Sequence, residues 1–153
     1  MLHENAMEGL QKANILLVED DDFEAKAVRR AFHKARIKNE IVRAVNGEEA
    51  LAILENTHPH IHVPTPLIAL IDINMPKMTG LELVEIIRSK PALQNLICFM
   101  LTTSRDPGDI HQAYSSHVAG YVVKETAGQD FTRLLSLLDD YWITVELPDT
   151  PRH

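Results

Sequence analysis

Residues 67–76 read LIALIDINMP, an apolar run that ends in a carboxylate. A short, continuous run of large aliphatic side chains predicts a strand that is buried on both faces, as the strands of parallel sheets are. Four other segments have strand length and strand character, and they are Ile15–Val18, Ile41–Val45, Ile97–Leu101 and Gly120–Val123. The sequence therefore predicts five strands, and Asp72 stands at the carboxyl end of the third.

Helical patterns separate these strands. Phe23, Ala27 and Ala31 recur at spacing four, with Val28 and Phe32 beside them, which predicts one apolar face of a first helix. The later helices are expected to begin at capping sequences, which are Asn46, Thr79 to Glu82, Asp106-Pro107 and Thr126 to Gln129. The alternation of strands and helices predicts an α/β fold with a parallel sheet, because parallel strands need crossover connections.

The composition fits one ordinary globular domain. The chain has 153 residues, 45% of them hydrophobic and 24% charged. Its 22 acidic and 15 basic residues give a net charge of −7, which argues against general nucleic-acid binding because such binding depends on neutralising phosphates. No apolar run approaches the roughly 20 residues of a membrane helix, and the first residues lack the apolar core of a secretory signal. The lone cysteine, Cys98, lies in an apolar run, so we expect a buried thiol and a cytoplasmic protein.

Polar side chains follow the strands at the points where the strands end. Glu19 and Asp20 follow the first strand, Asp72 the third, Thr102 the fourth and Lys124 the fifth. Because ligands of open α/β sheets bind beyond the carboxyl ends of the strands, we expect these groups to converge. Clustered carboxylates repel one another unless a cation lies among them, and carboxylates with phosphate oxygens are ligands that Mg²⁺ prefers. A metal pocket beside a lysine and a hydroxyl suits phosphoryl transfer, with Asp72 as the nucleophile.

Four motifs, in this order, resemble the receiver domain of two-component response regulators. They are Ile15-Leu16-Leu17-Val18-Glu19-Asp20, Asp72-Ile73-Asn74-Met75-Pro76 with Gly80 after it, Met100-Leu101-Thr102, and Gly120-Tyr121-Val122-Val123-Lys124. The resemblance implies a flavodoxin-like fold, a doubly wound sheet of five parallel strands in the order 2-1-3-4-5 with five helices. We expect a receiver domain over residues 14–142, an N-terminal extension over 1–13 and an extended tail over 143–153. The signal is then expected to leave through the receiver's own surface, a dimer or the tail, because no room remains for an output domain.

The resemblance also implies a role for each residue at the ends of the strands. Asp72 would accept a phosphoryl group from a partner histidine kinase in a reaction that depends on Mg²⁺ or Mn²⁺. The implied metal ligands are Glu19, through water, with Asp20, Asp72 and the Asn74 carbonyl, and the implied phosphoryl-binding and switch residues are Thr102, Lys124 and Tyr121. Asn74 and Ser104 match positions that tune the lifetime of the phosphoryl group. Such a protein signals through altered contacts and acts as an enzyme only on itself.

Two surfaces are expected to meet partners. Seven basic side chains between Lys26 and Arg43 stand against one acid, Glu40, which indicates a surface that steers an acidic partner. The resemblance places kinase docking on the first helix and on the loop after the fifth strand, at Lys26, Arg30 and Glu125.

The last helix ends in Leu138-Asp139-Asp140-Tyr141-Trp142, which looks like the single-domain response regulators that accompany cyanobacterial and bacterial phytochromes. This narrower resemblance implies a phytochrome as the kinase and a homodimer. The residues expected in the dimer or tail contacts are Trp142, Ile143, Val145 and Leu147. The three apolar tail residues would be covered either by strand addition to a partner subunit or by packing on the parent domain.

One departure from the family pattern leaves alternatives open. Receivers commonly have a proline after the lysine, in a cis peptide, whereas Lys124 is followed by Glu125. A cis bond before a non-proline residue costs ~2.5–4 kcal/mol, so the loop is either trans and reshaped or held cis at that cost. A phosphorylation-insensitive pseudo-receiver scaffold is therefore an alternative function. A phosphatase of the haloacid-dehalogenase type is a weaker one, because it needs a proton-exchanging aspartate where Asn74 stands.

Three histidines at alternate positions raise the separate question of a metal site. They are His58, His60 and His62, and on an extended segment they would share one face. The prolines among and after them, Pro59, Pro64 and Pro66, favour an exposed connector instead.

Overall fold

The computed structural model describes residues 13–102 and 118–133, and these contain a sheet of five parallel strands in the order 2-1-3-4-5. The strands are β1 (Asn14–Val18), β2 (Ile41–Ala44), β3 (Leu67–Asp72), β4 (Ile97–Thr102) and β5 (Gly120–Val123). All six residues of β3 are buried, because β1 and β4 pair with its two edges and apolar residues of the helices cover both of its faces. The predicted strands and the flavodoxin-like strand order are confirmed.

The helices lie between the strands as expected. They are α1 (Asp22–Lys34), α2 (Gly47–Leu54) and α3 (Gly80–Ser89), and a 3₁₀ helix (Lys124–Thr126) leads into helical residues 127–133. The predicted caps of α2 and α3 are confirmed, since Asn46 Oδ1 accepts from Glu49 N at 2.7 Å and Thr79 with Glu82 forms a capping box. The helix expected after Asp106 lies outside the described residues.

Alternate residues of the strands pack into two apolar layers. On one face, Leu16 and Val18 pack with the buried residues of α2 and α3. On the other face, Ile15 and Leu17 pack with α1 and with Phe131, whose ring lies 4.8 Å from that of Phe32, centroid to centroid. This alternation is the period of two that a strand imposes, and it holds the sheet between helices on both sides.

Two local predictions are wrong. The buried residues of α1 are Ala25, Val28 and Phe32, whereas Phe23 is 76% exposed. The reason is that the buried stripe follows spacings of three and four from Ala25, and Phe23 lies beside it in the first turn. The predicted capping box after β5 is also wrong, because Thr126 lies within the 3₁₀ helix that leads into helical residues 127–133 and so is not a cap. Its hydroxyl donates to Asp130 Oδ2 at 3.2 Å.

Several sequence-based predictions fall where the structure gives no description. They concern Ser104, Trp142 and the tail residues Ile143, Val145 and Leu147, together with most of the 1–13 extension and the end of the proposed receiver domain at residue 142. They stay predictions. In the ranges that are described, no helix is long and apolar enough to cross a membrane.

The start of α3 is packed against the backbone at the end of β3. A Cβ on Gly80 would lie 2.1 Å from the Asp72 carbonyl oxygen and 2.9 Å from Ile73 Cα, whereas a Cβ on Gly47 would meet the flexible Met78 side chain. Both glycines are the first residue of a helix, which makes them a matched pair. Of this pair, Gly80 is the one with immobile backbone as its neighbour, so the end of β3 depends on it.

We predict that Gly80→Ala lowers the free energy of unfolding by about 1–3 kcal/mol, because the backbone of β3 has to shift to admit a methyl group. Gly47→Ala should cost less, since the Met78 thioether can move away. Urea unfolding of the two variants beside the native chain measures both values. If both variants lose the same free energy of unfolding, the close approach of Gly80 to the Asp72 backbone does not contribute to stability.

Candidate functional site

The carboxyl ends of the strands bring five predicted side chains to one edge of the sheet. Asp72 is the last residue of β3 and pairs with Leu101, so Thr102 follows one step further along the same edge. Glu19 and Asp20 follow β1, and Lys124 follows β5. Glu19, Asp72, Thr102 and Lys124 are buried and Asp20 is exposed. Buried charged groups are stable only when opposite charges or hydrogen bonds stabilise them, and at this edge the positive charge of Lys124 lies among the carboxylates.

Three carboxylates form the centre of the pocket. Glu19, Asp20 and Asp72 each offer an oxygen, and the three atoms lie within 4.8 Å of one another. Burial raises the pKa of Glu19 to about 9, and a hydrogen bond with Glu24 and the negative charge of Asp72 add to the effect. Burial likewise raises the pKa of Asp72 above its ordinary range. Glu19 and Asp72 therefore hold a proton more readily than free carboxylates do, and a divalent cation bound beside them would favour its release.

The donor set of this cluster fits a hard divalent ion. Carboxylate oxygens are the ligands that Mg²⁺ and Mn²⁺ take in proteins, and the exposed Asp20 leaves an open side for water. Glu19 Oε2 is buried and accepts no hydrogen bond, although Lys124 Nζ lies 3.1 Å away. We regard that contact as an ion pair without hydrogen-bond alignment, so this oxygen retains capacity for a further partner.

Lys124 is the cation that the chain itself supplies. Its Nζ lies 3.1 Å from Asp72 Oδ1 and 3.1 Å from Glu19 Oε2, and it also pairs with Glu24 Oε2. Burial opposes a charged ammonium here, but the bond to Glu24 and the charges of Asp72 and Glu19 outweigh it and raise the pKa of Lys124. The ammonium is therefore permanently charged beside Asp72.

The loop after β5 is held by a buried carboxylate instead of a proline. Asp130 Oδ2 accepts from the Val123 backbone N–H at 2.9 Å and from the Thr126 hydroxyl at 3.2 Å. These bonds bracket the 3₁₀ helix that begins at Lys124. Among the described residues the cis peptide is Thr65-Pro66, in the connector before β3, so the Lys124-Glu125 peptide is trans. Asp130 thus fixes the backbone that carries Lys124.

Asn74 and Tyr121 lie beside this edge. The Asn74 N–H donates to Asp72 Oδ1 at 3.3 Å, and the Asn74 side chain is exposed. Tyr121 is half-buried on β5, opposite Met100 in the register, and packs against the core on the α2 and α3 face. Asp72 therefore receives both a backbone N–H and the lysine ammonium.

Glu24 and Arg43 have roles in the pocket that were not predicted from the sequence. Glu24 is the third residue of α1, whose cap Asp21 accepts from the Glu24 N–H, and side chains at this position reach back over the helix start. Arg43 was assigned to the basic surface, but Nε donates to the Glu19 carbonyl at 2.9 Å and Nη1 to Asp22 Oδ1 at 2.6 Å. This pairing lowers the pKa of Asp22. The role of Glu24 was predictable in principle, because it stands three residues after the capping Asp21. No feature of the sequence indicates the role of Arg43.

The basic surface is correspondingly smaller than predicted. Lys26 and Arg30 are exposed on α1, whereas Arg29 donates to the Ile41 carbonyl at 3.2 Å. Glu125 lies in the 3₁₀ helix after β5. The exposed Phe23 and the two basic residues share α1, which makes its accessible face both apolar and cationic.

Among the described residues, the three alternating histidines do not form a group that could hold a metal ion. His58 Nδ1 accepts from the backbone N–H groups of His60 at 3.0 Å and Ile61 at 2.9 Å, so Nε2 carries the proton and faces Glu49 Oε2 at 3.3 Å. His62 Nδ1 lies 3.2 Å from Asn56 Oδ1. Both ring nitrogens of His58 are therefore used in holding the connector, as the exposed-connector interpretation expected.

Comparison with known proteins identifies the family. The model of the response regulator receiver domain matches residues 15–136. Response regulator Rcp1 of Synechocystis sp. is 30% identical over 135 residues, which cover 88% of this chain and 92% of Rcp1. The chain belongs to the response regulator receiver domain family. The resemblance drawn from the four motifs is confirmed.

Solved structures extend the likeness. The bacteriophytochrome response regulator RtBRR superimposes with a TM-score of 0.71 at 29% identity, covering 82% of this chain and 76% of RtBRR. The phosphorylated cyanobacterial phytochrome response regulator RcpA gives 0.65 at 27%, covering 90% and 99%. The Mn²⁺-bound form of Rcp1 gives 0.65 at 30%, covering 89% and 99%. The narrower resemblance to phytochrome-associated regulators is confirmed as a relationship.

We predict that Asp20→Asn abolishes most of the stabilisation that Mg²⁺ gives the native chain. A ligand at 100 times its Kd stabilises a protein by about 2.7 kcal/mol, and Asp20 is the exposed carboxylate of the cluster, which an entering ion would meet first. Thermal unfolding with and without Mg²⁺ measures the effect. Glu48→Gln, at an exposed acid of α2, is the control and should keep the native response. A full Mg²⁺ response in Asp20→Asn would remove Asp20 from the ligand set.

Proposed function

We propose that this chain is a stand-alone response regulator that accepts a phosphoryl group on Asp72 from a partner histidine kinase. The observation that carries the proposal is the position of Asp72, a buried carboxylate that lies in the acidic cluster and 3.1 Å from Lys124 Nζ. Two relatives support it by name, one as a phosphorylated regulator and one as a Mn²⁺-bound regulator. The chain acts by changing its contacts and is not an enzyme on other substrates.

The chemistry follows from the charges at the pocket. An Asp72 oxygen attacks the phosphorus, the bond between phosphorus and the kinase histidine breaks, and its electron pair leaves with the imidazole nitrogen. Lys124 neutralises charge on the phosphoryl oxygens, and Thr102 donates its hydroxyl to them. Glu19, Asp20, Asp72 and the Asn74 carbonyl would hold Mg²⁺ or Mn²⁺, which supplies further neutralisation of the phosphoryl charge.

The output and the lifetime of the phosphoryl group are assigned to neighbouring residues. Thr102 moves toward the phosphoryl group, and Tyr121 changes rotamer on the face that it shares with the α2 and α3 core. Asn74 and Ser104 control access of water to the phosphoryl group. Asn74 is exposed two residues after Asp72, which supports this role for it.

The kinase docks on α1 and on the loop after β5. Lys26 and Arg30 present positive charge on an otherwise acidic chain, exposed Phe23 adds an apolar contact, and Glu125 stands next to Lys124. The relatives named for phytochromes support a phytochrome as this kinase, in the cytoplasm. A homodimer through Trp142, Ile143, Val145 and Leu147 is proposed from the sequence alone, and sedimentation of the chain with and without residues 143–153 tests it.

We expect the native chain to take up label from acetyl phosphate in the presence of Mg²⁺ and Asp72→Asn to take up none. The amide keeps the size of the carboxylate but is not a nucleophile. Gel shift or radiolabel measures the uptake, and Glu48→Gln is the matched control. Label on Asp72→Asn equal to that on the native chain would overturn the assignment. A native chain that is labelled without any change in partner affinity or size would favour the pseudo-receiver scaffold.

We expect charge reversal of Lys26 and Arg30 to slow transfer from the kinase about tenfold or more and to leave labelling by acetyl phosphate unchanged. The two residues steer the encounter and do not touch the phosphoryl group. The control reverses Arg36 and Lys38, which are exposed after the end of α1. Stopped-flow or quench-flow transfer at two salt concentrations measures the rates. Equal slowing of both double variants would mean that net charge matters and the α1 face does not.

A further inference from the structure

The ammonium of Lys124 is shared among three carboxylates, and one of them has no place in the phosphoryl chemistry described above. Glu19 and Asp72 belong to the acidic cluster, whereas Glu24 reaches Lys124 Nζ from the first turn of α1. The side chain of Glu24 is 38% exposed and that of Lys124 is 8% exposed, so Glu24 covers the ammonium on the solvent side.

Lys124 is followed by Glu125, whereas the corresponding lysine of receivers is commonly followed by a proline. Asp130 fixes the backbone on both sides of Lys124 through Val123 N and the Thr126 hydroxyl. A lysine side chain has four rotatable bonds beyond its backbone, so this does not fix the position of Nζ. The Glu24 contact ties Nζ to α1, and α1 also packs against the helical turn after β5. Asp130 therefore holds the backbone around Lys124, and Glu24 separately holds its ammonium.

We propose that Glu24 is a positioning residue for phosphoryl transfer, which holds Lys124 Nζ over Asp72 from the solvent side. The inference rests on the proposed phosphoacceptor function. The ammonium donates to Glu24 Oε2 and to Glu19 Oε1, and it forms an ion pair with Asp72 Oδ1 at 3.1 Å. When a phosphoryl oxygen arrives at Asp72, one donor turns to it, and the contact with Glu24 keeps Nζ in place during that exchange.

Glu24 is separate from the metal ligands. The group that offers three oxygens within 4.8 Å consists of Glu19, Asp20 and Asp72. The Glu24 carboxylate accepts from Lys124 Nζ and bonds to Glu19, but it offers no oxygen to that group. Because Glu24 contributes no oxygen to the acidic cluster, its removal should change the rate of phosphorylation and leave the affinity for Mg²⁺ within about twofold.

The test is the rate of labelling by acetyl phosphate at saturating Mg²⁺, in which an Asp72 oxygen attacks phosphorus and acetate leaves. Loss of a group that orients a functional residue costs about tenfold, so we expect that slowing for Glu24→Ala and less for Glu24→Gln, which keeps an acceptor of the same length. Glu85→Gln, at an exposed glutamate of α3, should label at the native rate. Thermal unfolding of each variant shows that it is folded.

A double-mutant cycle separates positioning from a general structural role. Glu24→Ala should slow labelling in the native background and have no further effect in a Lys124→Ala background, because the lysine through which it acts is gone. A native rate for Glu24→Ala, or equal slowing in both backgrounds, would overturn the proposal. If the native chain takes up no label, the phosphoacceptor function fails and this inference falls with it. Labelling of the native chain that is insensitive to Glu24 refutes the inference alone.

Discussion

The pocket depends on one ammonium that is shared by several buried or half-buried carboxylates. Lys124 Nζ lies 3.1 Å from both Asp72 and Glu19 and is paired with Glu24, and Asp20 adds negative charge at the edge of the sheet. Burying such groups without compensation would cost more than their hydrogen bonds return. One lysine does not balance four acids, and burial together with the charge of Asp72 raises the pKa of Glu19.

The sheet is what forces these charges together. Strand β3 is buried on both faces and paired on both edges, so its last residue, Asp72, has no freedom to move toward water. Parallel neighbours end at the same edge, which delivers Glu19, Thr102 and Lys124 to the same place. The apolar alternation that stabilises the fold therefore also concentrates the charges that carry its chemistry.

Most of the fold and the core of the site were predictable from the sequence, because each strand carries its polar residue at its own end. Asp72, Thr102 and Lys124 needed only the local pattern and the rule that parallel strands end together. Glu24 and Arg43 were missed because their roles are pairings across elements, from α1 to the loop after β5 and from β2 to the loop after β1. Phe23 was predicted to be buried and is exposed. In a helix of 13 residues, the sequence alone does not determine which residues of the first turn belong to the buried face.

Within the pocket, the nucleophile is the fixed partner and the cation is the adjustable one. Asp72 is held by the strands on either side of β3, by the Asn74 N–H and by the close approach of Gly80 to its carbonyl. Lys124 reaches the pocket along a flexible stem, so its position is set by the groups that its ammonium contacts. Variation in the reactivity of this pocket is thus expected to come from the partners of Lys124, since a displaced Asp72 would require displacement of the central strand.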